Sequence, residues 1–249
     1  MGAVAIPLKE VCNSLLGTTA SKSSWEYIIM DYRLPKAIVA ILVGMGLAIS
    51  GLLMQTLFRN PLAGPYVLGL SSGASLGVAL VILGSAFLPA FASEFILSSY
   101  GIVLASSLGS FLVLLAVLAV AQRLRDTMAI LIVGLMFGSL TSAIVGSLTY
   151  FSSAEQLQKF TFWSLGNLGN LTWNSIGILT CCVALGIILS VFSIKPLNAL
   201  LLGENYARSL GINYKKTKYI ILLATSILAG SITAFVGPIA FVGLAVPHI

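Results

Sequence analysis

The stretch RLPKAIVAILVGMGLAISGLLMQTLFRNPLAGPYVLGLSSGASLG, from Arg33 to Gly77, decides how the chain folds. An apolar span flanked by cations leads into a tight polar turn at Asn60-Pro61, and a second apolar span follows, carrying Gly69, Gly73 and Gly77. Water-soluble domains carry about 25% charged residues. This chain has 8%, with 58% apolar residues and a mean hydropathy of +1.06. All twenty charged residues lie between the apolar runs or at their edges, so each run can sit in hydrocarbon without the several kcal/mol that a central charge costs. The pattern is written for a bilayer.

Working outward, six apolar runs cover residues 36–58, 66–92, 98–121, 128–150, 175–194 and 219–236. Each reaches or approaches the roughly 20 residues that span a membrane as a helix. Residues 1–35 hold no such run. They are expected to form an extracytoplasmic or interfacial lead-in, with Trp25 and Tyr27 suited to the headgroup level. No basic region followed by an apolar core marks a cleavable leader in the first 30 residues. The chain stops at Ile249 within an apolar stretch, as a piece of a longer sequence would.

The net charge of +6 does not point to nucleic acid, because the cations are distributed over short loops. If the spans alternate, the first, third and fifth loops hold eight Lys or Arg, including Arg59, Arg123, Arg125 and Arg208, against Lys159 alone in the other two. That side is cytoplasmic by the positive-inside rule. The three cations before the first run, with Lys36 at its edge, fall outside, against the rule, which an additional preceding span would explain.

Glycine spacing shows that the spans pack. Gly69, Gly73 and Gly77 fall four apart, as do Gly101, Ala105 and Gly109, and then Gly134, Gly138, Ser142 and Gly146. Each set occupies one helix face, where small residues admit close backbone approach or line a pathway. Between Phe151 and Trp173 an interfacial helix and a turn are expected, anchored by Trp163 and Trp173. Gly237-Pro238 breaks the sixth span, leaving a short half-helix before Pro247.

Chemistry is scarce. There is no phosphate loop, no H-E-x-x-H and no carboxylate pair within a span; His248 is the single histidine, suited to helix-end packing or a backbone hydrogen bond. Cys12 stands alone, and Cys181 and Cys182 are adjacent, without metal-ligand spacing. Neither a metal nor another cofactor is expected. Ion-coupled carriers commonly place ionisable groups in their spans, and these spans lack them, so any transport energy comes from elsewhere.

The largest loop on the cytoplasmic side, residues 195–218, holds two short helical patterns, Leu197–Leu202 and Glu204–Leu210. The second places Glu204 and Arg208 four apart and ends at Gly211, a helix stop. Leu200, Leu201, Leu202, Ala207 and Leu210 need a surface to bury against, whether lipid headgroups or a groove on a cytoplasmic partner.

Taken in order, these residues resemble the FecCD family of ABC importer permeases. The matching stretches are Arg33-Leu34-Pro35, Phe58-Arg59-Asn60-Pro61-Leu62-Ala63, Leu68-Gly69 with Ser72-Gly73-Ala74, and Phe162-Trp163 with Leu165-Gly166. Gly203-Glu204 with Ala207-Arg208-Ser209-Leu210-Gly211 follows, then Gly237-Pro238, Phe241-Val242-Gly243-Leu244 and Pro247-His248. Gly64, Lys36 and Ala240 stand where an acid, Arg and Gly are common in the family.

The resemblance implies an all-α, polytopic transmembrane helical bundle of BtuC-like type. Six of ten expected spans would be present, the first and the last three lying outside residues 1–249, which form a single permease domain. It implies a membrane subunit taking up iron-siderophores, haem or vitamin B12 across a bacterial inner membrane. Such a subunit is not itself an enzyme. It pairs with a second permease copy, identical or paralogous, and works with cytoplasmic ATPase subunits and an extracytoplasmic substrate-binding protein. Gly203, Glu204, Ala207, Arg208, Leu210 and Gly211 would couple to the ATPase. Arg59, Asn60 and Pro61, with Arg123 and Arg125, would form the inner gate and its support. Gly69, Gly73, Gly77, Gly134, Gly138 and Gly146 would pack helices or line the pathway. A self-contained channel or carrier, or a membrane scaffold without transport, are the alternatives.

Overall fold

A chain with unbroken apolar runs and no partner for its backbone groups in lipid must satisfy them within helices. Every regular element in the described residues is helical. The computed structural model describes residues 4–16, 22–87, 97–121 and 127–249.

Two short helices, α1 (Leu8–Leu15) and α2 (Ser23–Tyr27), lead through a π-helical turn at Ile28–Arg33 into α3 (Leu34–Phe58). Pro35 follows this π-helical turn directly, and its missing N–H removes one backbone bond without interrupting the helical path. Helical structure is thus continuous over the 36 residues Ser23–Phe58, about 54 Å at 1.5 Å per residue. A hydrocarbon core is about 30 Å thick, so one end of this helix must project beyond it.

The second apolar run does not form one long helix. A 3-10 turn at Pro65–Leu68 precedes α4 (Leu70–Ile82), and Gly69, at φ +76, turns the backbone between them. A further 3-10 turn at Leu83–Phe87 prolongs α4, while residues 88–92 of the run lie outside the described residues. Among the described residues five helical stretches therefore have the length and hydropathy to cross, with Leu70–Ser85 as a shorter apolar helix where the sequence predicted a full span.

The remaining helices are α5 (Ser99–Ala121), α6 (Thr127–Tyr150), α7 (Ala154–Ser164), α8 (Trp173–Leu201), α9 (Glu204–Ser209), α10 (Tyr214–Val236) and α11 (Val242–Ala245). Their starts are set by local chemistry. Ser153 and Gln156 form a reciprocal capping box on α7, Thr172 caps α8, and the Asn213 side chain accepts from the Lys216 N–H at the start of α10. The Leu197–Leu202 pattern, predicted as a separate short helix, is mostly the last turn of α8. Pro196 inside α8 removes one i→i−4 bond without ending the 29-residue helix.

Two groups of helices share one core. Helices α3, α8 and α10 pack together around Val39, Leu47, Met54, Leu179, Leu228 and Ile232, all fully buried. Helices α4, α5 and α6 form the other group, and α10 joins the two through its contacts with α5 and α4. The amphipathic α7 lies over the end of α4, with Phe160 in a small cluster with Val78, Ile82 and Leu83, and Gln156 Nε2 donating to Ser85 Oγ at 2.8 Å. As the sequence predicted, α10 ends at the Gly237-Pro238 break, and the short α11 then packs on α3.

Candidate functional site

The loops sort to two ends. At one end Arg59, just past α3, donates from Nη2 to the carbonyl of Leu200 in the last turn of α8, although 141 residues separate them. The first and fifth loops therefore share a side, as alternation of the spans predicts, and between them they carry six of the chain's thirteen cations. At the opposite end the turn after α7 meets the end of α10, where Asn167 N–H donates to the Val236 carbonyl at 2.7 Å.

The turn after α3 is built by its own backbone. The Asn60 N–H reaches the Gln55 carbonyl at 3.1 Å and the Arg59 N–H reaches Thr56 at 3.3 Å, the paired bonds of a Schellman cap. That cap requires a left-handed residue, and here it is Arg59 (φ 47, ψ 39) rather than glycine. A residue with a Cβ costs about 1–2 kcal/mol there. The Asn60 side chain accepts from the Leu62 N–H at 2.9 Å, closing a polar turn. His248 Nε2 lies 3.3 Å from the Pro61 carbonyl, and Gln55 Nε2 donates to the Leu244 carbonyl at 3.2 Å, so the segment containing α11 braces this turn. His248 thus makes the backbone contact expected of it. A Cβ on Gly64 would meet the Leu244 side chain at 3.3 Å, so this glycine leaves room for the brace.

Beside the turn stands the loop that carries α9. Gly203 (φ +124) opens it and Gly211 (φ +78) closes it, both in conformations that favour glycine. At the closing end the Gly211 N–H bonds to Arg208 at 2.9 Å and the Ile212 N–H to Ala207 at 3.0 Å, a second Schellman cap. Its apolar contact is present too: Ala207 and Leu200 are buried with Ala199 in a cluster that Ile212 and Tyr214 cover.

The predicted apolar set therefore divides. Leu200 and Ala207 seal the underside of the loop, whereas Leu201, Leu202 and Leu210 are exposed by 61%, 70% and 58%. Tyr206, which the sequence reading missed, joins them at 48%. The signal was available, since Tyr206 stands four residues before Leu210 and so shares its helix face. Arg208 is exposed in the last turn of α9, where its charge complements the helix dipole. Glu204 begins α9, but its side chain, and with it the expected pairing to Arg208, lies outside the described residues. Arg123 and Arg125 also lie outside them.

The glycine stripes are mostly packing surfaces. An added Cβ on Gly77 would lie 2.0 Å from the Ala105 carbonyl oxygen, and one on Gly73 would lie 2.6 Å from that of Gly109. Gly69 abuts Gly134 and Val113, and Gly134 in turn abuts the Val67 carbonyl. These four sit where backbones touch. Gly138 is looser, with the Ser72 hydroxyl at 3.4 Å, and Gly146 faces open space. Around Gly146, α6 exposes Ser139, Ser142 and Ser147 interleaved with Leu135, Met136, Leu140 and Ile144, a face of mixed character.

At the opposite end an open cavity of about 620 Å³ lies between the start of α5, the end of α7 and the end of α10, lined by Phe162, Trp163, Asn167, Asn170 and Phe235 among others. Among the described residues no group of three His, Cys, Asp or Glu side chains could hold a metal ion.

Three comparisons bear on this arrangement. The family model described as the FecCD transport family matches residues 1–249. The hemin transport system permease protein HmuU of Yersinia pestis is 36% identical over 250 residues, covering 100% of this chain and 72% of that protein. The vitamin B12 import system permease protein BtuC of Salmonella typhi is 35% identical over 225 residues, covering 90% of this chain and 66% of the other. Among solved structures, an inward-facing conformation of an ABC transporter assigned to the metal-chelate type superposes with a TM-score of 0.81 at 29% identity, covering 97% of this chain and 76% of that one.

Proposed function

From the premise that this chain belongs to the FecCD transport family, we propose that it is the membrane-spanning permease of an ATP-driven importer for haem, cobalamin or another metal chelate. Its relatives are named for hemin and vitamin B12 transport, and substrates of that class are large and planar or ring-shaped. The cation-rich end faces the cytoplasm of a bacterial inner membrane. The loop at 195–218 docks on a cytoplasmic ATPase through α9, and the Asn60-Pro61 turn forms part of the inner gate. A second permease copy completes the pathway, which the exposed small residues of α6 around Gly146 help to line, and an extracytoplasmic binding protein delivers the substrate.

One observation carries the docking assignment. Helix α9 is fixed from below by Leu200, Ala207 and Ile212 and stopped at both ends by glycines, yet it turns Tyr206 and Leu210 outward. A six-residue helix cannot persist on its own propensity. Such stiffening of an apolar face fits docking into a preformed groove, in which few side chains need ordering on binding. When ATP draws two ATPase subunits together, a rigid element of this kind transmits the movement to α8 and α10 instead of absorbing it.

The test uses the complete protein and the ATPase encoded with it, co-expressed and purified through a tag on the permease. Tyr206→Glu together with Leu210→Glu should abolish ATPase co-purification while leaving the permease's thermal unfolding unchanged. Retained association with the double variant would overturn the docking assignment.

A further inference from the structure

Resting on the docking assignment above, we propose that Arg59 is the positioning residue that locks the inner-gate turn to the ATPase-docking loop, acting through the main-chain carbonyl of Leu200. Three observations carry it. The first is the backbone of Arg59 itself. Its left-handed φ of 47 is the position a glycine fills without cost in a Schellman cap, and glycine does fill the corresponding position at Gly211. An arginine held there is explained by its side chain rather than by its backbone. The second is the target. Leu200 lies in the last turn of α8, where carbonyls lack helical partners and carry the negative end of the helix dipole. The Leu200 carbonyl already accepts from the Gly203 N–H at 3.1 Å, and the Arg59 guanidinium adds a charge-assisted bond to it. Arg59 is thus a cap supplied to α8 from the far side of the bundle.

The third observation is that both ends of the link are fixed. On the loop side, Leu200 is 5% exposed and packs against Ala207 beneath α9, so its carbonyl moves with that helix. On the turn side, Arg59 is continuous with Asn60 and Pro61, which the Gln55 carbonyl, the Asn60 side chain and His248 hold in place. A cation present only to orient the chain in the bilayer would extend into water or among lipid phosphates. This one crosses to a carbonyl 141 residues away. The consequence is specific: a displacement of α9 by the ATPase reaches the gate turn as a rigid-body movement of α8 and the turn together.

The experiment measures that rigidity directly. The complete protein, with Cys12, Cys181 and Cys182 changed to Ser, carries spin labels at Leu62→Cys in the turn and Asn198→Cys at the end of α8, both exposed positions. It is reconstituted in nanodiscs with its ATPase, and the label-to-label distance is read with and without ATP-vanadate. With Arg59 present, one narrow distance should persist in both states. Arg59→Gly relieves the left-handed backbone while deleting the guanidinium, so folding is preserved. It should broaden the distribution and make it shift with nucleotide by about 1–2 Å or more, the scale of interface helix shifts. Arg59→Lys, which keeps a charged donor, should restore part of the narrowing. The proposal is overturned if Arg59→Gly gives a distribution as narrow and nucleotide-independent as the parental one, or if the parental distance itself changes with nucleotide. Should the parental chain fail to hold the ATPase, the docking assignment fails by itself, and the width of the nucleotide-free distribution still decides the role of Arg59.

Discussion

Replacing Gly77 with alanine separates packing from pathway along the α4 stripe. The added Cβ would sit 2.0 Å from the Ala105 carbonyl oxygen and 2.8 Å from its carbon, where ordinary contact begins at 3.4 Å. Both clashing atoms belong to the α5 backbone, so no rotamer change relieves them. Helices α4 and α5 must move apart locally by about 1.4 Å, and a gap of about 1 Å already forfeits up to half of each dispersion well it opens. Overpacking of this kind costs about 1–3 kcal/mol, against a helix-propensity gain of about 1 kcal/mol for replacing glycine. The net change therefore runs from about zero to a loss of about 2 kcal/mol, and relative to a glycine-to-alanine change without a clash, which keeps the same propensity gain, the overpacking cost corresponds to a Tm lower by about 2–12 °C for a chain of this size. Gly146→Ala is the control, because nothing lies within 4 Å of its Cβ. Its Tm should hold or rise slightly. Unfolding followed in detergent by thiol-reactive dye or by size-exclusion chromatography after heating reads both variants. Equal Tm values for the two, within about 1 °C, would refute the assignment of Gly77 to helix packing; the smallest predicted difference is about 2 °C.

Two further outcomes follow from the same geometry. Gly211→Ala places a Cβ at φ +78, at a cost of about 1–2 kcal/mol, with no atom within 4 Å to clash; ATPase association should weaken about 5- to 30-fold while the spans keep their Tm, and an unchanged affinity would show that the loop is not rigid. At the opposite end, Lys159 lies 2.8 Å from Glu155 and holds its carboxyl below the usual carboxylate range, the Lys159 hydrogen bond being the largest cause and its charge the next. A depressed carboxyl contributes stability above its unfolded-state pKa of about 4.5 and loses it as pH falls through the lowered value. Both side chains are more than half exposed, so screening leaves little of this: Lys159→Ala should move Tm by less than about 2 °C between pH 4 and 7, and a larger shift would mean that the pair carries load in α7.

The fold was legible wherever local pattern decides structure. Charge confined to loops, runs of about 20 apolar residues and glycines at every fourth position are short-range signals, and the bilayer makes them nearly sufficient, since backbone groups have no solvent to fall back on. The same logic located the Gly237-Pro238 break and the stop at Gly211. It failed where a local signal has two solutions. Residues 66–92 are apolar enough to span, but Gly69 supplies a left-handed turn that splits Pro65–Leu68 from α4, and hydropathy cannot register a dihedral angle. The fifth run, ended at 194 by its hydropathy, errs in the opposite direction, because the helix continues through Pro196 to Leu201. Proline marks a helix boundary as a tendency, and here the packing of Leu197, Ala199 and Leu200 outweighs one missing hydrogen bond.

The candidate site shows where this legibility ends. Residue types in Gly203–Gly211 predicted a capped, amphipathic helix, and spacing could have added Tyr206 to its outward face. Which leucines point out and which seal the underside depends on a fold-back: Ile212 and Tyr214 return over Leu200 and Ala207, and only a chain already turned at Gly211 can do that. The turn after α3 depends on separations longer still. Its polar residues form local bonds that a reader of the sequence can draw, but Arg59 finds its acceptor at Leu200 and Pro61 meets His248, 141 and 187 residues away. Neither acceptor is a side chain. Main-chain carbonyls carry no sequence identity, so a link such as that from Arg59 to Leu200 leaves only an indirect trace: an arginine where the backbone favours glycine. That mismatch between residue and dihedral is visible once the fold is known, and it locates the connection between the two loops more sharply than charge or hydropathy does.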